Sequence, residues 1–194
     1  MARGSAVWAG VDVGGRRKGF HVALVDDRRL VGGPWRLARP EDVVEALAPR
    51  RPLLVAVDGP RRAAPRGFAS RPAEREFAAA GICAIRFTPD ARRLRRGRYH
   101  EWVRHGLALY RVLEDAGLAS VECYPTASWT RWAGPRGRQT RAGWSRRALA
   151  ACDLRGVPAR VGQDGRDAIG AALTARLHAA GGCTLFGGEI AVPS

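Results

Sequence analysis

Hydrophobic and polar positions fall into short blocks that set an order of elements. Residues 7–13 and 19–25 are β-rich stretches joined by Gly14-Gly15-Arg16-Arg17-Lys18. In that joint the glycines supply unusual backbone angles and the charges stay in water. Asp26-Asp27-Arg28-Arg29 marks the next turn and residues 30–37 a third strand, so three hairpin-linked strands open the chain. Pro40-Glu41-Asp42 then starts a helix, because a first-turn proline forfeits no hydrogen bond and first-turn acids meet the positive end of the helix dipole. Its Val43, Val44, Leu47 and Ala48 keep helical spacing. Residues 52–57 form an unbroken apolar run, the pattern of a parallel strand covered on both faces, which stops at Asp58-Gly59-Pro60.

Beyond an Arg-, Pro- and Gly-rich loop over 61–72, the pattern predicts a short helix through Ala80 and a strand or extended link over 82–87. Residues 99–116 read as a helix with Trp102, Gly106, Leu109, Tyr110 and Leu113 on one side. Residues 120–125 read as a strand carrying Glu122, 131–147 as a polar, mobile excursion, 167–180 as an alanine-rich last helix, and 188–192 as a short closing strand. Three strands, a helix, a buried strand and then alternating helices and strands make a mixed-sheet α/β layout. A chain of 194 residues accommodates it as one domain, 1–194.

Composition adds charge. Lysine and arginine outnumber aspartate and glutamate by 33 to 18, a net +15, and Lys18 is the only lysine. A GC-rich coding bias accounts for arginine replacing lysine, but not for the excess of base over acid. That excess points to a polyanionic partner, nucleic acid first, with DNA or RNA left open. No apolar run reaches the roughly 18–20 residues of a membrane span, and Met1-Ala2-Arg3-Gly4-Ser5 has no signal-peptide character, so the cytoplasm is the expected location. Cys83, Cys123, Cys152 and Cys183 are scattered without a Cys-x-x-Cys pair and are expected to be reduced, mostly buried thiols rather than zinc ligands.

The acids carry the candidate chemistry. Asp12 interrupts an apolar strand beside a glycine-rich turn. Asp58 ends a buried strand, where open α/β sheets place their ligand crevices. Glu122 interrupts a third strand, and Asp164 and Asp167 stand three apart at the start of the last helix, able to face one way. Each alone has an ordinary explanation as a turn former or a first-turn acid. Several carboxylates converging on one sheet edge would be costly without a cation, and hard oxygen ligands suit Mg²⁺ or Mn²⁺.

Gly10-Val11-Asp12-Val13-Gly14-Gly15, Val55-Ala56-Val57-Asp58-Gly59-Pro60, Val121-Glu122-Cys123-Tyr124-Pro125 and Asp164-Gly165-Arg166-Asp167-Ala168 occur in this order. So arranged, the chain resembles the family described as domain of unknown function 429, predicted RNase H-like nucleases, over nearly its whole length. The resemblance implies an RNase H-like mixed β-sheet with flanking helices and an acidic, metal-dependent site at Asp12, Asp58 and Asp167, with Asp164 or Glu122 as a fourth member. For a nuclease it implies two-metal phosphodiester hydrolysis, Asp12 bridging the ions and Asp58 and Asp167 each holding one. Arg61, Arg62, Arg71 and Arg75 are the candidate phosphate ligands, and Trp132 and Trp144, beside arginines, are candidate base-stacking platforms. Trp8 and Trp102 are expected in the core.

Other signatures fail on geometry. His100 and His105 are five residues apart rather than four, so they do not share the face a zinc-protease helix requires. Gly14-Gly15 lacks the spacing of a P-loop. A non-catalytic module binding nucleic acid or protein through the same surfaces, and a metal-dependent phosphohydrolase for a small phosphate ester, remain the alternatives to a nuclease.

Overall fold

The alternation at the start of the chain is realised in β1 (Trp8–Val13), β2 (Phe20–Val25) and β3 (Leu30–Leu37), an antiparallel meander. The computed structural model describes residues 5–96 and 99–194; the signal-peptide reading of Met1-Ala2-Arg3-Gly4 lies outside them. Helix α1 (Pro40–Leu47) crosses to β4 (Val55–Asp58), which lies parallel to β1. Then come α2 (Pro72–Ala79), α3 (Ala91–Leu94), α4 (Glu101–Asp115), β5 (Ser120–Cys123), α5 (Pro125–Ala133), α6 (Arg141–Ala150) and α7 (Gln163–Ala179). A closing hairpin of β6 (Cys183–Phe186) and β7 (Ile190–Pro193) completes one seven-stranded sheet, ordered β3-β2-β1-β4-β5-β7-β6. β1, β4, β5 and β7 are mutually parallel and the remaining pairs antiparallel. This is the expected α/β mixed sheet.

Strand alternation divides two cores. Ala9, Val11, Val13, Val55 and Val57 face α1 and α4, meeting Val43, Leu47, Leu109, Tyr110 and Leu113. Trp8, Ala56, Val121 and Cys123 point the other way, onto Ala171, Ala172 and Ala175 of α7. The approach of α7 is set by Gly10, where a Cβ would lie 2.1 Å from the Ala172 nitrogen and 2.2 Å from the Ala168 oxygen. Only a residue without a side chain lets helix backbone rest on strand backbone so closely. Every residue of α7 from Gly165 to Ala175 is buried, because α5 and α6 cover its outer side with Trp129, Trp144, Ala148 and Leu149.

Several expectations need correction. Residues 131–147 are not a mobile excursion: they complete α5 and begin α6, which is capped by the Thr140 hydroxyl accepting from the Gly143 N–H at 3.1 Å. Over 82–87 the chain is a link, one of the two forms expected, and not a strand; α7 begins four residues earlier than predicted, and β6 was unforeseen. All four cysteines are free thiols, but only Cys123 is fully buried. Trp8 is in the core, whereas Trp102 is only half-buried. Among the described residues no helix is long and apolar enough to cross a membrane.

Candidate metal centre

The parallel pairing of β1 with β4 puts Asp12 beside Asp58, and that of β4 with β5 puts Asp58 beside Cys123. The antiparallel pairing of β1 with β2 sets His21 on the other side of Asp12. One row, His21–Asp12–Asp58–Cys123, therefore crosses the carboxyl ends of the parallel strands. Side chains two apart share a face, so Asp12 lies on the same face as Gly10, the face on which α7 rests. The close seat at Gly10 brings the first turn of α7, with Asp164 and Asp167, over the row.

Ligand atoms of Asp12, His21 and Asp164 all lie within 4.8 Å of one another. His21 Nδ1 is shut off from water without a hydrogen-bond partner, 3.8 Å from Asp12 Oδ2. A buried, unpartnered ring nitrogen is costly and unusual. Burial, helped by the Arg36 and Lys18 charges and opposed by Asp164, lowers the His21 pKa, which favours the neutral ring, the form that ligates a metal. Two carboxylates and one neutral imidazole converging in this way fit a divalent cation. Lys18 supplies the nearest fixed positive charge, its ammonium 3.1 Å from both oxygens of Asp164.

Electrostatics point the same way. Burial, then the Asp167 and Asp164 charges, push the Asp12 carboxyl up to about 7, against the pull of Lys18 and Arg141. Asp58 is also raised, by burial first and then by Asp12 and Asp167. Two adjacent buried carboxyls resist ionisation, a cost that a divalent cation placed between them would offset.

The remaining candidate residues are placed differently. Asp167 belongs to the electrostatic cluster, but its oxygens are occupied: Trp129 Nε1 donates at 2.8 Å, Gln163 Nε2 at 3.0 and 3.1 Å, and Arg141 Nη2 at 2.9 Å. It falls outside the compact Asp12–His21–Asp164 group. Glu122 is one residue off Cys123 and so points to the opposite face of β5. There it is buried against Arg71, with contacts of 2.7 and 2.5 Å, and accepts the Arg61 N–H at 2.8 Å. These bonds tie it to Arg71 rather than to the Asp12–His21–Asp164 group, although it lines one cavity with Asp58.

Arg71, expected to bind phosphate, is 1 % exposed and tied to Glu74, Glu122 and Glu189. Arg61, Arg62 and Arg75 are exposed; Arg61 lies over the Tyr110 ring and Arg62 pairs with Glu189. Trp144 is no stacking platform: it is buried, its Nε1 donating to the Gly134 carbonyl at 2.9 Å, while Trp132 is half-buried with its ring edge-on to Trp129. Sequence reasoning missed His21, and the available signal was its register opposite Asp12 in a hairpin already recognised. It also missed Trp129 as the residue that orients Asp167.

The chain matches no protein-family model and no curated protein, so the likeness to domain of unknown function 429 rests on the motifs alone. Among solved structures it is similar to RuvC of Thermus thermophilus, with a TM-score of 0.50 and 19% identity over 97% of this chain and 99% of that one. The same figures hold for T. thermophilus RuvC in complex with a Holliday junction substrate. The architecture of this chain is that of the RNase H-like fold.

Proposed function

We propose that this protein is a divalent-metal-dependent nuclease of the domain of unknown function 429 type, hydrolysing phosphodiester bonds at the Asp12 centre. The observation that carries the reading is the convergence of Asp12, Asp164 and the unpartnered His21 Nδ1 on one point, with Asp58 alongside. Asp12, Asp164 and His21 would hold one ion, and Asp12 with Asp58 a second, while Asp167 positions Arg141 and the start of α7. Such ions, when bound, activate water at neutral pH and neutralise charge developing on a phosphodiester. Mixed oxygen and imidazole donors favour Mn²⁺ over Mg²⁺, since imidazole is the softer ligand. The surrounding net charge of +15 draws in a polyanion. RuvC, of like fold, is seen with a Holliday junction substrate, which makes branched DNA a substrate to test beside linear strands.

Purified protein should cleave labelled single strands, duplexes or four-way junctions with Mn²⁺ or Mg²⁺ and not in EDTA. Asp12→Asn should reduce cleavage by at least a hundredfold. Cleavage undiminished in Asp12→Asn, or no cleavage of any of these substrates with either ion, would sink the reading.

A further inference from the structure

The arginine-rich stretch 131–147 is absorbed only in part by the acid centre, through Arg141. Between residues 82–86 and helices α5 and α6 lies a groove of about 570 Å³, walled by Ile82, Ile85, Arg86, Tyr124, Arg136 and Arg141 among others. No carboxylate lines it. Arg136 has no ion pair among the described residues, and the Arg86 guanidinium stands 6.0 Å from the Tyr99 ring centroid. Ile85, Arg86 and Tyr124 also wall a smaller cavity lined by Asp58 and Cys123 and by Arg71 with its partners Glu74 and Glu122, so the groove runs up to the Asp58 end of the acid row. At the inner end Arg141, 43% exposed, reaches Asp167 at 2.9 Å and the Thr126 hydroxyl at 3.3 Å.

We propose that this groove binds one strand of nucleic acid and leads it to the acid centre. Arg86, Arg136 and the free donors of Arg141 hold successive phosphates, and the Tyr124 ring with Ile82 and Ile85 receives a base. Two guanidiniums without an opposing acid, Arg86 and Arg136, beside Arg141, whose one acid is Asp167, match a run of phosphates, which their forked donors recognise. An aromatic and apolar wall beside them is what a stacked base requires and a lone phosphate ester does not. The volume lies within the roughly 300–1,000 Å³ of small-ligand clefts: room for a short stretch of one strand, not for a double helix. The destination of the strand rests on the nuclease reading; the binding itself does not.

The test uses the full chain in EDTA, so that binding is read without cleavage. Fluorescence anisotropy of a labelled single strand of about twelve nucleotides should report tighter binding than a duplex of equal length. Arg86→Ala/Arg136→Ala should weaken single-strand binding at least tenfold. It should also make the log–log salt dependence shallower by about 1.4, roughly 0.7 for each phosphate that is no longer neutralised. Arg28→Ala/Arg50→Ala, which removes the same charge outside the groove, should change affinity less than threefold, and both variants should melt like the wild type. Equal losses in the two variants, or a duplex bound as tightly as the single strand, would overturn the proposal. Asp12→Asn should still bind the strand; if it does so while the wild type cuts nothing, the groove stands and the nuclease reading falls.

Discussion

Asp12 and His21 sit side by side on neighbouring strands, and each is uncomfortable without a ligand. With its pKa at about 7 rather than 3.8, native Asp12 binds more protons than the unfolded chain between those values. Its contribution to stability is therefore present below 3.8 and lost as pH rises to about 7. Above that, the metal-free protein carries an ionised, largely buried carboxylate that asparagine would not. In EDTA, Asp12→Asn is expected to melt several degrees above the wild type at pH 8, at about 2–4 °C per kcal/mol for a chain of this size. The gap should close near pH 4.5, and a gap that ignores pH would contradict the assignment. Saturating Mn²⁺ at pH 8 should reverse the order, because only the wild type gains binding energy. His21 makes a separate prediction. Wild-type melting should rise more with Mn²⁺ than with Mg²⁺ at equal concentration, and His21→Ala should remove that difference. If His21→Ala leaves both shifts intact, the ring is no ligand.

At the scale of elements, the centre depends on α7 lying against β1 at Gly10. Gly10→Ala places a methyl inside helix backbone, which cannot rotate away as a side-chain tip would. It is expected to cost about 3 kcal/mol or more and to abolish the Mn²⁺-induced rise in melting temperature. A variant that melts and responds like the wild type would refute that packing. The opening meander and β4 were legible because turn residues and apolar runs fix them locally. Helix α6 was not: its sequence is polar and arginine-rich, and its inward residues Trp144, Ser145, Ala148 and Leu149 gain their meaning only from α5 and α7. The start of α7 was misplaced because Gly162 offers no side-chain cap and Gln163 to Asp167 look like a turn, although Arg166 and Asp167 are buried there. Asp12 and Asp58 were readable as acids at strand ends. His21 was not read, because its place beside Asp12 follows from the pairing register of the β1–β2 hairpin, which a recognised turn suggests and residue type alone does not.

Across the whole molecule the strand acids alternate in direction, Asp12 and Asp58 toward α7 and Glu122 away from it, and the proposed roles follow that division. On the face away from α7, Arg71 binds Glu122 of β5, Glu74 of α2 and Glu189 of the β6–β7 turn, fastening three separate segments at one point. Burial opposes the Arg71 charge, and the Glu122 and Glu74 carboxylates outweigh it, holding its pKa above that of ordinary arginine. Removing one partner of a buried pair leaves the other charge under-compensated, a loss of about 3–5 kcal/mol. Because Glu74 and Glu189 remain, Glu122→Gln should lie near the lower end, about 3 kcal/mol, and lower the melting temperature at pH 8. The Mn²⁺-induced rise should persist at its wild-type size, since Asp12, His21 and Asp164 are untouched across the sheet. Asp12→Asn in EDTA should do the reverse, raising stability while erasing the metal response. Opposite signs from two carboxylate-to-amide changes, read by the same melting experiment, separate an acid that holds the fold together from one that the fold holds ready for a cation. Loss of the metal response in Glu122→Gln would return Glu122 to the site.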